Sequence, residues 1–106
     1  LDDEQKRYVR EGFTTEEQLA VFDMIYKDSL SKEDIKKVKS LCVELVEIVR
    51  KRLSQMSHWT EKPETLAEVD TLIRDELYKL PEQSYPDDSI TKYRAQIFGY
   101  FYLRAA

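Results

Sequence analysis

Along most of the chain, large apolar residues recur at alternating three- and four-residue steps, the spacing that stacks side chains on one side of an α-helix. From Glu16 to Lys27 this predicts a helix whose apolar face is Leu19, Phe22, Ile25 and Tyr26. A longer helix is expected from Ser31 to about Met56, where no glycine or proline intervenes. Its seam is Ile35, Val38, Cys42, Leu45, Val49 and Met56, widened by Leu41, Val46, Ile48 and Leu53. At a rise of 1.5 Å per residue that element is about 37 Å long, enough to be the spine of a small bundle. A third helix begins near Pro63 and buries Leu66, Val69, Ile73, Leu77 and Leu80, with Leu72 broadening the stripe. The last carries Ile90, Tyr93, Ile97, Tyr100 and Phe101 on one face and Phe98 and Tyr102 on another.

The residues between these segments mark helix ends. Residues 1–11 are highly charged and read as the tail of an upstream helix or a linker, closed by Gly12. Thr14 and Thr15, followed by Glu16, Glu17 and Gln18, offer two overlapping capping boxes and put acid at the positive end of the helix dipole. Ser31 with Asp34 marks the next start, and Pro63 fits a first helical turn but not an interior. Pro81 to Asp88 is the one evident irregular connection, after which Asp87, Asp88 or Ser89 can cap the final helix. The fold class is therefore all-α: a compact bundle of four to five helices with one long central helix, residues 12–106 forming one domain. With Leu1 in place of Met and Ala105-Ala106 following directly on an apolar stretch, the sequence reads as a piece of a longer protein.

Composition then narrows the chemistry. Two glycines and three prolines are too few for the turns of a β-rich domain. Charged residues make up 36% of the chain with both signs interspersed and a net charge of -4, which describes a solvated helical surface rather than a phosphate-binding footprint. The nearest basic cluster, on the long helix, is broken up by Glu33, Asp34, Glu44 and Glu47. The single cysteine, Cys42, leaves no internal disulfide and fits a reducing cytoplasm. It lies on the apolar seam, as a buried filler rather than a reactive thiol. No apolar run approaches the roughly 20 residues of a membrane span. His58 is the only histidine, whereas a zinc site wants several close ligands. Gly12 and Gly99 stand alone, without a phosphate loop around either. No catalytic, cofactor-binding or metal-ligating residue is assigned, and the chain reads as a non-catalytic module that works by holding other protein surface.

Two aromatic features carry that reading. Trp59, just after the long helix, is expected to plug the helix junction. The run from Ile97 to Leu103 is apolar or aromatic nearly all round, and an edge helix cannot bury every face within its own domain. Tyr85, Phe98 and Tyr102 are the residues left for another protein.

Two blocks of the sequence resemble the C-terminal helical domain of a type I restriction enzyme R subunit. The first is Gly12-Phe13-Thr14-Thr15-Glu16-Glu17-Gln18-Leu19-Ala20-Val21-Phe22-Asp23, similar to a G-L-T-x-E-E-x-A-x-Y/F-D opening. The second runs from Trp59 through Lys62, Pro63, Ala67 and Val69 to Ile73, Leu77, Tyr78, Leu80 and Pro81, similar to a W-x-x-K-x-x-x-x-A-x-V…I…L-Y…L-P pattern. The likeness spans Gly12 to Tyr102 and departs at Glu68 and Asp70, where basic residues are usual. It implies a parent chain with a nuclease domain, two translocase lobes using ATP and Mg²⁺, a helical domain and this terminal module. It further implies a bacterial or archaeal cytoplasmic complex in which the module docks the R subunit onto a methyltransferase core of modification and specificity subunits. DNA would be met only through that complex. The resemblance places none of the nuclease or ATPase residues in this chain. An intramolecular scaffold that packs on the preceding domains of the same chain, or a DNA-tracking module, would be built from similar elements.

Overall fold

Among the described residues the first helix, α1, covers Arg7–Arg10, and the backbone shows why it stops at that end. Gly12 sits at φ +91°, with its N–H on the Val9 carbonyl (3.0 Å) and the Phe13 N–H on the Tyr8 carbonyl (2.8 Å). These are the two bonds that close a helix through a left-handed residue, a conformation that costs an L-residue about 1–2 kcal/mol and glycine almost nothing. The closure turns Phe13 into the core, and Arg7 pins α1 to the next helix through Asp23 at 2.8 Å. The computed structural model describes residues 7–105; the part of the upstream tail expected from residues 1–6 lies outside the described residues.

Helix α2 covers Glu16–Ile25. Of the two capping registers it uses the second: the Gln18 N–H donates to the Thr15 hydroxyl at 3.2 Å. The Gln18 side chain in turn accepts from the Thr14 N–H (2.9 Å) and hydroxyl (3.2 Å), so a buried amide oxygen finds its partners in the cap itself. The helix ends two residues before the predicted Lys27. Tyr26 then takes an extended backbone (φ −61°, ψ 141°), which swings it off the core face; it is 41% exposed, and Val21 is buried on the α2 core face in its stead.

The spine, α3, spans Lys32–Leu53, with the Asp34 N–H donating to the Ser31 hydroxyl at 3.1 Å. Val38, Leu41, Cys42, Leu45, Val46, Val49 and Leu53 are buried as the seam requires. The helix stops short of Met56, which with Ile35 packs only partly against the core. Burial, with a smaller contribution from the Asp23 charge, pushes the Cys42 thiol up to about 12. The folded protein should therefore resist a thiol reagent until it unfolds; rapid labelling of Cys42 under native conditions would place it off the seam.

Helix α4 covers Pro63–Leu77 and α5 covers Asp87–Arg104. Proline takes the first turn of α4, where its missing N–H breaks no bond. The start of α5 differs from expectation. Pro86 occupies the cap position, Asp87 and Asp88 lie inside the first turn, and Ser89 donates back to the Pro86 carbonyl at 2.7 Å. The two acids thus act on the helix dipole rather than as caps. α2 packs on α3, α3 on α4, α4 on α5 and α5 on α2, a closed ring of four helices around one apolar cluster. Among the described residues there is no strand, and the all-α bundle with one long helix stands.

Candidate functional site

The chain leaves α3 through His58, whose left-handed backbone (φ 55°) redirects it into a short 3₁₀ turn, Trp59–Glu61. That reversal drives the Trp59 indole inward, to 6% exposure. The Thr65 hydroxyl donates to the Trp59 carbonyl at 2.6 Å and ties the turn to α4. Lys62 follows in extended conformation and is exposed, Pro63 opens α4, and Ala67 is exposed one turn further on. The four residues of the tryptophan motif are thus a structural corner: a plug, a straight lead-in, a helix opener and a small outward residue.

On α5 the rings of Phe98 and Tyr102 meet the edge of that plug, with centroids 5.9 and 6.2 Å from Trp59 at nearly perpendicular angles. They also stack on each other at 6.1 Å. Phe98 is half-buried by this contact, Tyr102 is 43% exposed, and Leu103 beside it is 75% exposed. α4 and α5 run antiparallel here, and a groove of about 380 Å³ lies between them, floored by Leu66, Ala67, Ala95 and Phe98. Arg94 closes one end of it by pairing with Asp70 at 2.5 Å. Phe98 and Tyr102 are therefore brought together over Trp59, with Phe98 also lining the groove beside Ala67, and the two rings form one apolar ledge.

Tyr85 does not belong to this ledge, and its assignment to a partner surface is corrected. It is 2% exposed, and its hydroxyl donates to the Ile25 carbonyl at 2.5 Å, filling one of the free carbonyls at the end of α2. Burial, followed by the nearby Tyr93, raises its phenol well above the ordinary value. Ser84 and Tyr85 N–H groups both reach the Pro81 carbonyl, and Lys27 donates to Ser84, so the loop is held as a strap over α2. Tyr85→Phe should cost about 1–2 kcal/mol in a chemical melt, since it orphans a buried carbonyl; an unchanged midpoint would show that water replaces the hydroxyl.

Tyr100, expected to close the core beside Phe101, is only partly buried, with Arg104 over its ring at 4.3 Å. Leu103 was missed by the sequence reading as an exposed anchor, although its position one residue after Tyr102 already places it away from Ile97 and Phe101. Reactive chemistry is not gathered anywhere in this region. His58 is 73% exposed in its side chain, facing Glu61 at 3.2 Å. A larger open hollow of about 620 Å³ lies between the ends of α3 and α5, bordered by Arg50, Ser54, His58, Thr60 and Glu61. Its arginine is already engaged by Glu17 and lies over the Phe101 ring. Among the described residues no three His, Cys, Asp or Glu side chains come together, and no helix is long and apolar enough to cross a membrane. No family model, curated protein or solved structure matches the chain.

Proposed function

We propose that this chain is a non-catalytic assembly module, the C-terminal helical domain of a type I restriction R subunit. In this reading it docks the ATP- and Mg²⁺-dependent translocase and endonuclease onto the core of modification and specificity subunits. The observation that carries the docking part is the stacked pair Phe98 and Tyr102, with Phe98 lining the groove that Leu66, Ala67 and Ala95 floor. Half-buried Phe98 and exposed Tyr102 on α5, beside a groove bordered by the Arg94–Asp70 pair, have the layout of an interface core with a polar rim. The partner's identity rests on the resemblance alone, on Trp59, Lys62, Pro63, Ala67 and the Gly12–Asp23 block.

The test is a truncation. An R subunit lacking residues 12–106 should fail to assemble with the modification-specificity core while its isolated motor still hydrolyses ATP. A truncated subunit that assembles normally but translocates poorly would move the ledge to an intramolecular role, packed on the parent's own helical and motor domains.

A further inference from the structure

The buried face of α4 carries one charged residue. Glu76 comes three positions after Ile73 and one before Leu77, so the helical period that buries those residues buries it too, and it is 7% exposed. Its Oε2 accepts from Lys79 Nζ at 3.0 Å, while Oε1 is buried with no hydrogen-bond partner. The same ammonium lies 2.8 Å from Oε2 of Glu44, on α3. Two carboxylates and one ammonium therefore tie the spine to the end of α4, with one negative charge in excess and a carboxylate oxygen in dry surroundings. A buried carboxylate oxygen without a hydrogen bond is costly unless something satisfies it. Oε1 is closed to solvent, so the cation that reaches it must be small enough to pass between packed side chains, which leaves a proton.

We propose that Glu44, Glu76 and Lys79 form a proton-operated clasp between α3 and α4, slack when both carboxylates are ionised and tight when Glu76 is protonated while Glu44 stays ionised on Lys79. Titration follows the geometry. Burial is the largest influence on Glu76 and raises it above the ordinary carboxylate range; the hydrogen bond from Lys79 opposes that rise, and the neighbouring Glu44 carboxylate adds to it. Glu44 moves the other way, held below its ordinary value first by its hydrogen bond from Lys79 and then by the neighbouring Glu76 carboxyl. The charged groups that act on Glu76 are Glu44 from α3 and Lys79 from the turn after α4; none from α5 or the 3₁₀ turn is among them.

The two shifts have opposite consequences for stability. Glu76, raised in the folded state, contributes stability that is present in acid and lost as pH rises through its raised value. Glu44, lowered in the folded state, contributes stability that is present above its ordinary value and lost as pH falls through its lowered value. The clasp is tightest between them, in mild acid, where Glu76 holds a proton and Glu44 does not.

Carbon-13 NMR of the glutamate carboxyls in the wild-type protein reads this without any substitution: Glu76 should titrate above the ordinary carboxylate range and Glu44 below it. Thermal melts of wild type and Glu76→Gln across the same pH range supply the second readout. The amide keeps the shape without the charge, so the variant should melt above wild type at neutral pH, and its advantage should vanish on mild acidification. A Glu76 midpoint at or below the ordinary range overturns the clasp, and so does a melting difference that does not change with pH.

Discussion

Replacing Trp59 by alanine is expected to cost about 3–5 kcal/mol of folding stability, the range for removing a large aromatic side chain from a core. Trp59 is 6% exposed and is the only described residue that touches Phe98 and Tyr102 edge-on while its own backbone carbonyl anchors α4 through Thr65. Its loss leaves a cavity under the end of α5 and removes two aromatic contacts at once, each worth about 0.5–1.5 kcal/mol beyond area alone. In a domain of this size each kcal/mol shifts Tm by about 4–8 °C, so the melt should fall by at least about 12 °C. A loss below about 1 kcal/mol is what a surface substitution gives, and would mean that the indole does not plug the junction.

The second large effect concerns assembly. Tyr102→Ser with Leu103→Ser removes the two most exposed large apolar side chains at the end of α5 and should weaken binding to the proposed modification-specificity core by about 2 kcal/mol or more, about a thirtyfold loss of affinity. The fold should survive. Leu103 is 75% exposed and contributes little to the core, while Tyr102 surrenders its edge contact to Trp59 and its stack on Phe98, each worth about 1 kcal/mol. Phe98 is the wrong residue for this test despite its place in the same run, because it is half-buried against Trp59 and packs on the core, so its loss confounds folding with binding. A folded double variant that binds as tightly as wild type would put the interface on another face.

The helices were legible because the apolar period and the caps agreed: Thr15, Ser31 and Pro63 each open a helix where the pattern begins. The misreadings have local causes. Tyr26 has the right spacing for the α2 face, but spacing means nothing once the backbone has left the helix, and it leaves at Ile25. Tyr85 lies in a loop, where no period says which side chain turns inward; the signal for its burial is the free carbonyl end of α2, a partner that only the tertiary fold brings near. The opposite happened at Glu76, where the period does place the residue inside, seven positions after Val69, and only its charge argues otherwise. Of the candidate ledge, the aromatic density was visible in sequence, but the division of labour between Phe98 and Tyr102 was not. That division depends on Trp59 occupying the space beneath both.

Direct titration of the 106-residue chain with a purified modification-specificity core, followed by calorimetry or by retention of the core on the immobilised chain, tests the proposed docking. The account predicts saturable binding that Tyr102→Ser with Leu103→Ser weakens about thirtyfold, the equivalent of about 2 kcal/mol. A folded wild-type domain that shows no binding to the core would contradict it.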